Sequence, residues 1–77
     1  MDLSGQVYVF TGELTRLTRD QAERLVEQLG GRTSRSVSGK TTCLVAGPRA
    51  GGKLEKARRL DIEVLDEGAF LEQVGLG

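Results

Sequence analysis

Seventy-seven residues, 38% apolar and 29% charged, are enough for one domain with a thin core. One cysteine and no histidine leave no disulfide framework, no Cys–His metal site and no histidine-based triad. The formal charge is zero, but it is unevenly spread: residues 1–31 carry −2, residues 32–59 carry +7 and residues 60–77 carry −5. A cationic middle third points to a polyanion-facing side, although such charges also pair with one another on a solvated surface.

The start, Met1 to Gly5, has neither the basic nor the apolar run of a signal peptide, and the tail Val74 to Gly77 reads as a frayed end. Val7-Tyr8-Val9-Phe10 is apolar at successive positions, as in a central strand covered on both faces. Thr11-Gly12 follows at the strand end. Thr18-Arg19-Asp20-Gln21 has capping-box form, and Ala22, Leu25, Val26 and Leu29 repeat as one helical stripe. Arg19 and Glu23 are spaced as an i,i+4 pair on the exposed face, and Gly30-Gly31 ends the helix. Arg32 to Val37 reads as a polar edge strand and Ser38-Gly39-Lys40 as a turn. Cys43 to Ala46 reads as a second central strand, with Cys43 a buried thiol.

Gly47 to Gly52 then leads into a short helix from Lys53 to Leu60. Ile62 to Leu65 is a last strand, and Asp66 caps a final helix that turns Phe70, Leu71 and Val74 inward. The order β-α-β-β-α-β-α implies an α/β fold, a small four-stranded parallel sheet with helices on both faces. No apolar stretch approaches the roughly 20 residues that cross a bilayer.

Two loops invite chemistry. Thr11-Gly12 and Gly51-Gly52-Lys53 are both strand-to-helix passages, where a hydroxyl, a glycine amide, a cation and the positive end of a helix can hold phosphate. Gly39-Lys40-Thr41 is not a nucleotide P-loop, because Ser34 stands where the first glycine belongs and a strand rather than a helix follows. Thr11-Gly12-Glu13-Leu14 lacks the further glycines of a dinucleotide fingerprint. A self-contained enzyme is disfavoured, and a binding module remains.

The chain resembles a BRCT domain from Leu3 to Leu76, most closely the C-terminal BRCT domain of bacterial NAD-dependent DNA ligases. The stretches that carry the likeness are Phe10-Thr11-Gly12-Glu13-Leu14, Thr18-Arg19-Asp20-Gln21-Ala22, Val37-Ser38-Gly39-Lys40-Thr41-Thr42, Lys53-Leu54-Glu55-Lys56-Ala57 and Val64-Leu65-Asp66-Glu67. One departure is that Phe70 stands where most BRCT domains have tryptophan, which favours the ligase-like subgroup over tandem phosphopeptide readers.

The resemblance implies a single domain over residues 1–77, taken from the C-terminus of a larger enzyme and non-catalytic itself. It implies a phosphate site of Thr11, Gly12, Arg19 and Lys53, with Lys40, Arg49 and Lys56 as outer DNA contacts. On the residues alone, Thr11 is equally able to bond a loop carbonyl and Arg19 to pair with Glu23. The implied partners are nicked or 5′-phosphorylated duplex DNA, the other domains of the ligase, and further repair or replication proteins, with no membrane. The alternative is a phosphopeptide or protein-docking role; a third reading is a purely architectural domain. No cofactor is implied for this domain, since NAD, magnesium and zinc would belong to other parts of the enzyme. The implied setting is the bacterial cytoplasm, at the nucleoid.

Overall fold

In the computed structural model, which describes residues 1–76, strand β1 (Val7–Thr11) is buried from Tyr8 onward. Its side chains alternate between two apolar clusters, as a strand's period of two requires. Tyr8 and Phe10 join Cys43, Val45, Ala22, Val26 and Phe70 on one face, while Val9 joins Leu44, Val37 and Ala57 on the other. Helices α1 (Arg19–Gln28) and α3 (Glu67–Gln73) therefore cover the first face, and α2 (Gly52–Arg59) covers the second. Apolar runs without alternation thus correspond to strands sandwiched between helices, as expected.

The sheet has the order β2-β1-β3-β4, with β2 at Arg32–Ser34, β3 at Cys43–Ala46 and β4 at Glu63–Leu65. Every pairing is parallel, with Val9 opposite Ser34 on one side of β1 and opposite Leu44 on the other. The two predicted central strands are central, and the two short strands, β2 and β4, form the edges.

Strand β2 stops three residues before the predicted Val37. The Ser34 hydroxyl bonds to both the carbonyl and the N–H of Ser36, at 3.3 and 3.4 Å, giving the backbone a local alternative to the ladder. Val37 then leaves the sheet and plugs the core beneath α2, only 2% exposed.

Helix α1 starts as its sequence predicts. The Thr18 side chain accepts from the Gln21 N–H and the Gln21 side chain accepts from the Thr18 N–H. All three helices end in the same way, with the C″ amide reaching back five residues. Those bonds are Gly31 N–H to Val26, Ile62 N–H to Ala57 and Leu76 N–H to Leu71. The left-handed residue this closure demands is Gly30 in α1 (φ +92°) and Gly75 in α3 (φ +84°), but Asp61 in α2 (φ +59°).

Phe70 takes the core position expected of it. Fully buried, it stands edge-on to Phe10 at 5.2 Å between ring centroids and 5.8 Å from Tyr8. The Tyr8 hydroxyl donates to Gln73 at 2.8 Å, so the polar tip of the buried ring has a partner.

Candidate functional site

The loops after β1 and β3 interlock. The Gly47 N–H donates to the Thr11 carbonyl (2.9 Å) and the Glu13 N–H to the Pro48 carbonyl (3.0 Å). Gly12 has φ +78°, and a Cβ there would stand 2.6 Å from the Pro48 oxygen. The missing side chain of Gly12 thus admits a neighbouring loop.

Its amide is a separate matter. The Thr11–Gly12 peptide is trans, like every other in the chain, so the Gly12 N–H points opposite to the Thr11 carbonyl. It faces away from β3, toward the side where β2 has ended at Ser34. Among the described residues it finds no acceptor in the turn and loop bonds.

Thr11 is only 7% exposed, and its hydroxyl donates to the Ala50 carbonyl at 3.3 Å. Of the two possibilities open in the sequence, the structure places this hydroxyl on a loop carbonyl. That bond ties the end of β1 to the segment leading into α2, and the two glycine-containing loops do meet.

Arg19 and Lys53 line a common cavity of about 430 Å³, with Phe10, Asp20, Glu23, Ser34 and Arg35. Arg19 is the first residue of α1 and Lys53 the second of α2, so each cation sits at the positive end of its helix dipole. The α2 N-terminus has no side-chain cap, since Gly51 (φ +68°) precedes it, which leaves early amides for an anion. The Lys53 ammonium donates to the Arg35 carbonyl at 2.7 Å, which fixes its position and leaves two N–H donors.

Three cations face two carboxylates across this cavity. Arg19 is not paired with Glu23: the ion pair on α1 is Asp20–Arg24, at 3.4 Å and exposed. The two pairs have the same i,i+4 spacing and share no residue, and only the second forms. Asp20 is thereby partly neutralised and Arg19 is left for a ligand.

Lys40, Arg49 and Lys56 are exposed and lie outside the cavity lining. Arg49 stands 3.3 Å from Glu13, so the geometry engages it with a carboxylate across the interlocked loops. Two lining residues escaped the sequence reading, Ser34 and Arg35. Their signal was present in the cationic stretch Arg32–Arg35, but only the turn at Ser34–Ser36 brings them against Lys53.

A third feature was unforeseen. The Glu67 carboxylate accepts from the Thr15 N–H (2.8 Å), the Thr15 hydroxyl (3.0 Å), the Arg16 N–H (2.9 Å) and the Leu17 N–H (3.0 Å). Partial desolvation works to raise this carboxyl, but the amides of Thr15, Arg16 and Leu17 outweigh it and hold it below the ordinary carboxylate range. Cys43 is buried, and desolvation pushes its thiol up to about 12; such a group is no nucleophile at neutral pH. Among the described residues no group of three or more Cys, Asp or Glu is placed to hold a metal ion.

The family profile of the BRCA1 C Terminus (BRCT) domain matches residues 1–73. The chain belongs to the BRCT family. Its sequence is similar to part of the DNA ligase of Syntrophotalea carbinolica, 58% identical over 72 residues, which is 94% of this chain and 11% of the ligase. It is also similar to the DNA ligase of Geotalea uraniireducens, 53% identical over 73 residues, 95% of this chain and 11% of the ligase. The BRCT chain thus spans 11% of the length of each of these relatives.

Among solved structures it resembles Rad4 BRCT1,2 in complex with a Crb2 phosphopeptide, with a TM-score of 0.78 and 25% identity over 94% of this chain and 38% of that one. The Rad4 BRCT1,2 complex with an Mdb1 phosphopeptide gives the same TM-score at 26% identity, with the same shares of the two chains covered. The α/β BRCT architecture with a four-stranded parallel sheet holds. By itself the domain is an accessory module and not a catalytic one. No helix in the described residues is long and apolar enough to cross a membrane.

Proposed function

We propose that this BRCT domain is a DNA-holding module of a bacterial NAD-dependent DNA ligase that grips phosphate, in particular a 5′-phosphate end at a nick or break. The observation that carries the reading is the convergence of Arg19 and Lys53, from two helix N-termini, on one cavity. In this reading the two side chains take phosphate oxygens, the Gly12 N–H adds a donor from the end of β1, and Thr11 serves by holding the loops together. Lys40 and Lys56 extend the contact along the duplex, and Arg49 joins it by leaving Glu13. The similarity to DNA ligases supports this reading. NAD, magnesium and zinc would act in other domains of the ligase, which with repair and replication proteins complete the partners, in the bacterial cytoplasm at the nucleoid.

Nothing in the cavity reads base edges, so binding is expected to be sequence-indifferent. With two to four phosphates neutralised, log affinity should fall with log salt at a slope of about −2 to −4. Fluorescence anisotropy with nicked duplex, 5′-phosphorylated or 5′-hydroxyl, provides the test. Lys53→Ala and Arg19→Ala should each weaken binding of the phosphorylated duplex about tenfold, the value of one lost charge-assisted contact, and leave the hydroxyl-ended duplex nearly unchanged. Equal affinity for both duplexes, insensitive to either substitution, overturns the reading.

The phosphopeptides held by the two Rad4 BRCT1,2 structures favour a second reading, in which the same cavity takes a phosphoserine of a partner protein. A phosphopeptide that competes with 5′-phosphorylated DNA, and fails to compete once dephosphorylated, would establish it.

A further inference from the structure

We propose that Glu67 is the positioning residue of the anion site: from α3, on the far side of the β1–α1 loop, its carboxylate sets where Arg19 stands relative to Lys53. The inference rests on the proposed phosphate-binding role and adds to it a residue outside the cavity.

The loop of residues 13–17 has no regular structure. Its first end is fixed by the Glu13 N–H on the Pro48 carbonyl. Its other end presents three successive amides, those of Thr15, Arg16 and Leu17, and all three converge on Glu67. Both carboxylate oxygens are used: Oε1 takes the two donors of Thr15 and Oε2 takes the amides of Arg16 and Leu17.

Thr18, the next residue, is the α1 cap, bonded to Gln21 in both directions, and Arg19 follows at once. Rigid bonding therefore runs without a break from Glu67 to Arg19. Glu67 is itself anchored, because α3 buries Phe70 and Leu71 in the core and Asp66 caps it on the Ala69 N–H at 2.7 Å. Lys53 is fixed independently on the opposite side, by its bond to Arg35. The separation of the two cations is thus set by α3 through the loop, and two cations grip one phosphate only when held at a matching distance.

Substitution should then loosen the first turn of α1 without touching either cation. Glu67→Gln places an N–H donor against amide donors, and Glu67→Ala removes both oxygens. Both variants are measured as folded proteins, well below their melting temperatures, by amide NMR and by anisotropy with the two nicked duplexes. The preference for 5′-phosphorylated over 5′-hydroxyl duplex is expected to fall about three- to tenfold. The Arg19 amide resonance should move, while that of Lys53 on α2 should not.

If these variants unfold, Glu67→Asp, shorter by one methylene, replaces them, with the same direction expected at Arg19. A folded variant whose Arg19 resonance and phosphate preference both match wild type overturns the proposal. Should wild type itself show no preference, the phosphate-binding reading fails, and the Arg19 resonance alone still decides whether Glu67 positions the helix.

Discussion

Replacing Gly12 by alanine tests whether the interlocked loops hold the domain together. Alanine at φ +78° costs about 1–2 kcal/mol for its left-handed backbone. Its Cβ would lie 2.6 Å from the Pro48 carbonyl oxygen, against rigid backbone rather than a flexible side-chain tip, and forced overlap of this kind costs about 1–3 kcal/mol. The sum, about 2–5 kcal/mol, is a large share of the roughly 4–12 kcal/mol expected for 77 residues.

Urea unfolding followed by circular dichroism should show the midpoint falling by about 1–2 M or more, and the melting temperature by at least about 10 °C. Gly52→Ala is the matched control. It lies at the start of α2 with open space around its Cβ position and no positive φ, and it should be neutral or stabilising by up to about 1 kcal/mol. A Gly12→Ala protein within about 0.5 kcal/mol of wild type would refute the reasoning, because the loops would then have room that the geometry denies them.

Asp61 occupies the left-handed closing position of α2, where the other two helices use glycine; Asp61→Gly should raise stability by about 0.5–1 kcal/mol in the same urea experiment. Cys43, with its thiol raised to about 12, should resist alkylation at pH 8 in the folded protein and react at the rate of a free thiol once urea unfolds it. Glu67 is depressed in the folded state, so its contribution is complete above the unfolded carboxyl value of about 4.3 and is lost as pH falls through the lower folded one. Wild type should therefore exceed Glu67→Gln by about 1 kcal/mol at pH 7, a figure discounted for the half-exposed site. The gap should close toward pH 3; a gap independent of pH would contradict the assigned bonds.

The elements that sequence made legible are those governed by short-range chemistry. Thr18 and Gln21 announce a helix start because their mutual bonds lie within one turn, and the apolar runs at Val7–Phe10 and Cys43–Ala46 could only be strands covered twice. The candidate site was legible in part: Gly51-Gly52-Lys53 marks a helix entry in the sequence, whereas Arg19 was implied only by the family resemblance. What remained hidden depends on pairs far apart in the chain. The partner of the Thr11 hydroxyl is 39 residues away, and those of Glu67 about 50. No local pattern marks a carboxylate as belonging to a distant loop rather than to its own helix terminus. That Asp20–Arg24 forms and Arg19–Glu23 does not was hidden differently, because both pairs satisfy the same spacing.

The aromatic trio has a consequence for how the domain comes into being. Within the domain Tyr8 and Phe10 precede the rest of the core, and the ring that seals them, Phe70, arrives sixty or more positions later on α3. A nascent chain that has already made all four strands has α1 on that face but still lacks the α3 ring that closes it. Assembly should accordingly be a single late event, slowed by the long separation of the partners, and a chain cut just ahead of Phe70 should collapse without settling.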